Sequence, residues 1–584
     1  MKRLLALLPG VLGLLAASGL RDAAACGCFT PPDPTVPIVQ AGEKILFSIE
    51  NGMVTAHIQI QYAGNAQDFG WLLPLPSLPT LELGTDELFT QLYATTQPKY
   101  KVLRNYEGNC GFAPNRNGSP APNAGGSSFG GDAQDPGSPL VLQDSIGPYD
   151  YAILHADDQT AMLDWLSTNH YFVPAGTDQT VSNYIHPGAY FLALKLKSGA
   201  STGDLQPVVV RYPSDVAMIP IVLTSLGAQP HMGIQVWMLG KGRAIPRNYY
   251  HTVIDDALLD WNGAGQNYND VIIKAVGEAT GKHSFVTEYA GSSQVMHNVL
   301  NPPGRFGNTA DLAAQPDAQS FVQYLFQYQY GVLTGQGGGG PVFGGYQFTS
   351  QLTSILGKYI PEPPGLVTKK VTPSQFYQSM SYYLSPQYMS QNPGDFTGWP
   401  GINYQPAMMA MEIDQRVVQP TLAAGALFDA QPQLTRLYTT LSPEDMNSDP
   451  VFSYNTSLPN VSNVHTATWT YHCGMLTSSQ NAATTSSTLV TEQGWRIEFP
   501  SGAGTGTSYR PPAPGLPGSL RIEILREEGA AQVVVDNSSM IAGALGEGGC
   551  SMAAGGRLDG AIGLATMLLT VCGLVVVGRR RIKR

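Results

Sequence analysis

Four stretches of this sequence hold side chains whose types and spacing could do chemistry. In His155-Ala156-Asp157-Asp158 an imidazole stands beside two carboxylates, the groups of general acid–base work. At a strand-to-helix joint the same acidic pair also serves the helix dipole. Glu288, in the run Phe285–Gly291, is a carboxylate among apolar neighbours, where burial would raise its pKa. His155, Asp157, Asp158 and Glu288 are therefore the candidate polar cluster. Gly199–Gly203 fits G-x-S-x-G around Ser201, but strand-like residues flank it on both sides, whereas a nucleophile elbow needs a helix after it. Asp260, Asn262 and Gly265 fit the first, third and sixth positions of a calcium loop, yet Val271 stands where the bidentate carboxylate belongs. A solvated turn is predicted there, with Asp255, Asp256 and Asp260 as a looser calcium alternative. HExxH, phosphate-loop, dinucleotide and paired CxxC motifs are missing from the sequence. No catalytic, metal or cofactor-binding residue is assigned, and no cofactor is expected.

How the cysteines read depends on the compartment. Lys2 and Arg3, an apolar run over 4–20 and Ala23-Ala24-Ala25 predict a signal peptide at 1–25. A lipoprotein start at Cys26 is the alternative, although Ala23 stands where a lipobox has Leu. Residues 560–578 are uncharged and long enough, at about 1.5 Å per residue, to span a bilayer as a transmembrane helix. The basic tail 579–584 then stays inside by the positive-inside rule. These signals predict an exported protein, held by its C-terminus in the cell envelope, with the membrane as a partner. In an oxidising compartment Cys26, Cys28, Cys110 and Cys473 are expected to form two disulfides, Cys26 and Cys28 each pairing with one of the other two. A metal site from Cys26, Cys28, His472 and Cys473 is the alternative.

The elements that must position these residues are legible in part. Charged residues are 13% of the chain and the formal net charge is −11, which disfavours nucleic acid as a partner. With Gly 65 and Pro 44, turn-rich β structure with long loops is expected. Asn51-Gly52 predicts a hairpin, and the alternation after it puts His57 on a wet face. The prolines after Trp71 predict an edge strand or an extended segment. Thr85 is expected to cap a helix turning Leu88, Phe89, Leu92 and Tyr93 inward. Asp157 and Asp158 open a helix reaching Asn169, Ile219–Leu226 continues the β pattern, and Asp270–Ala279 is helical. The fold class is α+β, with mixed, mainly antiparallel sheets, short helices, long Gly/Pro-rich loops and the transmembrane helix. The expected organisation is an N-terminal domain at 26–292 with a Gly-rich loop at 113–139, a middle region at 293–420 and a β-rich part at 421–540. A Gly-rich stalk or sorting motif follows at 541–559, before the span.

Several segments carry a resemblance. "VTAHIQIQYAGNAQDFGWLLPLPSLP", "GPYDYAILHADD", "LDWLSTNHYFVP", "YFLALKLKSG", "LQPVVVRYPS" and "FVTEYAG" resemble the bacterial family known as domain of unknown function 2330. "LTRLYTTLSPEDMNSDPVFSYN" and "VSNVHTA" resemble its longer myxobacterial members. The patch "GEGGC", the apolar span and the arginines after it resemble a Myxo-type C-terminal sorting tail. That resemblance implies processing at Gly549-Cys550 by a membrane protease, lipid modification of Cys550 and display on the outer surface. The family implies no catalytic residues. The expected function is a non-catalytic binding or structural protein of the envelope, with an envelope polymer or a surface protein as partner. The alternative is an exported hydrolase built on carboxylates.

Overall fold

A computed structural model describes residues 40–59, 70–108, 140–155, 157–169, 171, 177–198, 205–226, 228–333, 346–399, 404–473, 484–500 and 515–546. The architecture is α+β, with mixed, mainly antiparallel sheets and short helices. The largest sheet has ten strands. In chain order they are β1 (Gln40–Glu50), β2 (Met53–Gln59), β3 (Thr80–Leu83), β4 (Val208–Pro213), β5 (Ala228–Gly240), β6 (Tyr250–Ile254), β7 (Ser284–Ser292), β8 (Gln433–Leu441), β9 (Ser519–Ile524) and β10 (Gln532–Asp536). Across the sheet they run β10-β9-β6-β7-β8-β5-β1-β2-β4-β3. The pairs β1 with β5 and β6 with β7 are parallel. The other neighbours in this sheet are antiparallel.

The hairpin β1–β2 forms as its turn residues dictate. Asn51 and Gly52 have φ of 52° and 72°, the left-handed pair that a two-residue turn needs, and Glu50 pairs with Met53. Alternation then sorts the side chains. Ile45, Phe47, Val54, Ala56, Val210 and Val236 share one core with Trp71, Leu73, Ile153 and Leu192 of a second, four-stranded sheet. Gly70–Leu75, which contains Pro74, is an edge strand of that second sheet.

The opposite face of the large sheet is covered by helices. Leu46, Trp237 and Leu239 pack on Leu88, Phe89 and Leu92 of the helix Asp86–Thr96 and on Phe428 of Gln419–Ala430. Val286 packs on Ile272 and Val276 of the helix Tyr268–Gly277. With both faces covered, the expected wet face of His57 does not exist. The ring is 3% exposed, and burial, helped by the charge of Arg211, pushes its pKa down to about 3. A second correction is Ile221–Thr224, a helical turn where a strand is expected. A short apolar run has no period that separates the two.

The described helices between Thr309 and Val418 form a layer with its own core, including Phe321, Leu325, Leu352, Ile355, Phe376 and Met409. A buried ion pair ties it to the helix Asp86–Thr96. Arg305 Nη1 and Nη2 donate to Glu87 Oε1 and Oε2 at 2.7 and 2.6 Å, with side chains 3% and 4% exposed. Burial pushes the Glu87 carboxyl up against the pull of Arg305.

The expected membrane architecture is corrected. Among the described residues no helix is long and apolar enough to cross a membrane. The span 560–578, the leader 1–25 and the tail with Gly549 and Cys550 lie outside the described residues. The C-terminal anchor, export to the envelope and the membrane and processing protease as partners rested on those segments, and no described element supports them. The two disulfides are corrected as well: no disulfide forms among the described residues. Cys26, Cys28 and Cys110 lie outside them, and Cys473 is the last residue of the strand Val464–Cys473.

Breaking a buried pair leaves an uncompensated charge. Glu87→Gln is expected to lower stability by about 3–5 kcal/mol in urea denaturation, whereas replacing Glu87 and Arg305 together by Met costs less.

Candidate functional site

The site grows from an irregularity in β7. Thr287 pairs with Leu437 and Tyr289 with Arg436, so Glu288 is the extra residue of a β-bulge. Such a bulge re-aims a side chain. Here it turns the carboxylate of Glu288 onto Arg436, whose Nε donates to Glu288 Oε2 at 2.5 Å. Both side chains are buried, 2% and 3% exposed. Tyr268, on the helix Tyr268–Gly277, donates its hydroxyl to Glu288 Oε1 at 2.8 Å. Gln235 of β5 accepts from Arg436 Nη2 at 2.8 Å and donates to Leu437 O at 2.8 Å. The guanidinium also lies over two rings, 4.8 Å from the centroid of Tyr93 and 5.4 Å from that of Trp237.

Above this network opens a cleft of about 390 Å³. The registers that pair Lys44 with Gln59 and with Gln235 bring the Lys44 stem to its lip. Burial lowers the Lys44 pKa, with Asp86 pulling it up and Arg436 pushing it down. Among the described residues the Lys44 ammonium has no hydrogen-bond acceptor. Asp86 accepts from Gln59 Nε2 at 2.7 Å, and burial pushes its carboxyl up to about 6.

Aromatic walls complete the cleft. Tyr100, on the strand Lys99–Glu107, stacks on His465 at 5.1 Å and meets Trp261 edge-on at 5.4 Å. Gly265 has φ of 79° and lies against this ring; a Cβ there would stand 2.3 Å from Tyr100 Cδ2. Tyr438 reaches across Gly233 to donate to Asn269 Oδ1 at 3.0 Å, and burial pushes its phenol up to about 12. Both oxygens of Glu288 are thus committed. The cleft gathers aromatic rings, amide and phenol groups and, among the described residues, the Lys44 ammonium without a hydrogen-bond acceptor.

Of the sequence-predicted cluster, the structure places only Glu288 here. His155, Asp157 and Asp158 lie at the end of the strand Tyr149–His155, in the second sheet. His155 Nδ1 stands 3.5 Å from Asp157 Oδ2, with both side chains about half exposed. Asp157 accepts from Gly188 N at 3.3 Å, and Asp158 caps the helix Gln159–Thr168 by accepting from Ala161 N at 3.0 Å. Ser201 lies outside the described residues. In the calcium-like loop, Asp260 Oδ1 accepts from Gly263 N at 2.8 Å, which closes the predicted turn. Asp255 and Asp256 accept from Ala257 N and Gln493 N. Among the described residues no three His, Cys, Asp or Glu side chains gather as metal ligands.

Sequence reasoning missed Lys44, Gln235, Tyr268 and Arg436. The available signal was polarity out of place: Gln235 and Arg436 each interrupt an apolar strand, "MGIQVWML" and "LTRLYTTL". Tyr93, expected inward, is 47% exposed and covers Arg436.

The profile of a family described as an uncharacterized protein conserved in bacteria, DUF2330, matches residues 21–318. The chain belongs to that family. Neither a curated protein nor a solved structure matches it. The DUF2330 segment supplies Lys44, Asp86, Tyr93, Tyr100, Gln235, Tyr268 and Glu288, whereas Arg436 and Tyr438 come from β8, beyond it.

Two outcomes are expected. The folded Asp86 carboxyl keeps its proton to a higher pH than the unfolded one, so between about pH 4 and 6 the folded state binds more protons. Its contribution favours folding at the acid end and is lost as pH rises through about 6. Asp86→Asn should flatten that part of the curve of urea midpoint against pH. Gly265→Ala should lower the melting temperature, because the new methyl meets Tyr100 and φ is positive.

Proposed function

We propose that the chain is a ligand-binding protein whose cleft takes a small polyhydroxylated molecule bearing a carboxylate, an acidic monosaccharide being the simplest case. The observation that carries this reading is the Lys44 ammonium, without a hydrogen-bond acceptor among the described residues, at the lip of a cleft where Arg436 and Glu288 are paired with each other. A half-buried cation lacking an acceptor favours an anionic partner. The rings of Tyr93 and Tyr100 offer apolar faces for the C–H side of a sugar. Tyr438 and Asn269 offer fixed polar groups for its hydroxyls. The volume of about 390 Å³ suits one small ligand. The hydrolase alternative has less support, since Glu288 spends both oxygens on Arg436 and Tyr268. We also propose kinship with the longer myxobacterial members. It rests on the segments after residue 433, where β8 supplies Arg436.

Calorimetric titration tests the reading. D-galacturonate is expected to bind, and D-galactose to bind about tenfold or more weakly, the worth of a charge-assisted hydrogen bond. Lys44→Gln should erase that difference. Galacturonate should bind more tightly at pH 5 than at pH 7, because protonated Asp86 no longer competes for Lys44. Equal affinity for the two sugars, or a preference that survives Lys44→Gln, would overturn the reading.

A further inference from the structure

A second cavity lies on the other side of the same sheet. It measures about 240 Å³ and sits in the seam between β1, β2 and β4 and the edge strand Gly70–Leu75. Phe47, Ala56, Ile58, Leu75 and Val210 make its walls apolar. Its mouth is formed by Pro76, which is exposed, and by half-buried Ser214, Val216 and Met218. The Ser77 hydroxyl donates to Pro213 O at 3.0 Å beside this opening.

Two polar side chains border the cavity, and they differ. Ser214 is committed: its Oγ donates to Val216 O at 2.9 Å and accepts from Val216 N at 3.2 Å. Tyr212 is 4% exposed and has no hydrogen-bond partner among the described residues. A tyrosine hydroxyl on a mostly apolar cavity gains from an acceptor that the walls do not supply. Water suits the space poorly, because an ordered water needs two to four polar partners and the cavity offers one free group. Burial holds the phenol far above its ordinary pKa, so it stays a neutral donor. A carboxylate here would be desolvated without a countercharge, which excludes anionic ligands.

We infer that this cavity binds a neutral, compact apolar molecule with one hydrogen-bond acceptor, a carbonyl compound of about ten heavy atoms, whose oxygen accepts from the Tyr212 hydroxyl. The size follows by scaling from a cavity of about 150 Å³ that holds benzene. The recognition is separate from the polar cleft: Ile45 and Phe47 of β1 face this cavity, whereas Lys44 reaches the cleft.

Acetophenone and ethylbenzene make a matched pair of probes, alike in shape and differing by the carbonyl. In titrations of the full chain, acetophenone is expected to bind about five- to tenfold more tightly, the worth of one neutral hydrogen bond. Tyr212→Phe should remove that preference while leaving ethylbenzene bound. Ala56→Leu should fill the space and abolish binding of both, and Lys44→Gln should change neither. Absence of saturable acetophenone binding to the wild-type chain would overturn the inference, and so would a carbonyl preference that persists in Tyr212→Phe. That variant removes one atom from a side chain with no partner, so it keeps the test decisive even if Ala56→Leu does not fold.

Discussion

The guanidinium of Arg436 lies buried in the middle of a ten-stranded sheet, and much of the surrounding structure follows from satisfying it. Guanidinium cannot shed its charge by losing a proton, so its desolvation has to be offset by acceptors in place before any ligand arrives. Glu288 supplies the countercharge, and it can do so only because the bulge in β7 puts an extra residue opposite Arg436. Gln235 supplies a neutral acceptor, while Trp237 and Tyr93 close the two ring contacts. Trp237 is in turn held by Thr96 Oγ1, which accepts from its indole N–H at 3.0 Å. A charge, a bulge, a helix end and an aromatic ring are thus fixed by one requirement. The result is rigid at its base and open above, which suits recognition: little has to reorganise when a ligand enters.

The same sheet has two unlike faces because a strand alternates. On β1, Lys44 reaches the polar cleft, while Ile45 and Phe47 border the apolar cavity. Helices cover one side and a second sheet covers the other. Each cover leaves a gap whose chemistry follows from the side chains beneath it. Beneath the helices stand Gln235, Arg436 and Glu288, and the gap is polar; between the sheets stand Ala56, Ile58 and Val210, and the gap is greasy.

What could be read in the sequence was local. The Asn51-Gly52 turn, the Thr85 cap, the helix start at Asp157-Asp158 and the proline-bearing extended strand depend on residues adjacent in the chain, and each is found as expected. Errors arose where a distant element decides. His57 alternates as a wet residue should, and it is dry because helices brought from elsewhere cover that face. Tyr93 has the spacing of a core residue, yet it is 47% exposed, and the contact its ring makes is with Arg436, 343 residues away in the chain. Glu288 was recognisable as a carboxylate in an apolar strand; that it stands in a bulge and faces an arginine was not. His155, Asp157 and Asp158 stand together at an exposed strand-to-helix joint, where Asp158 caps the helix, and Glu288 lies apart from them in the large sheet.

The boundary of the family match adds a physical constraint. The matched segment ends at residue 318, yet β8 lies between β5 and β7, both inside that segment, and pairs with each. Take β8 away and β5 and β7 become two facing edges with unsatisfied backbone groups, a condition folded sheets avoid. Glu288 would lose its countercharge at the same time. Strand pairing and ion pairing therefore make the same demand: in this chain the segment 21–318 needs residues 433–441 to close both its sheet and its cleft. The helical layer between them does not interrupt the sheet, because its own core packs separately and the Glu87–Arg305 pair anchors it to the helix beside the cleft.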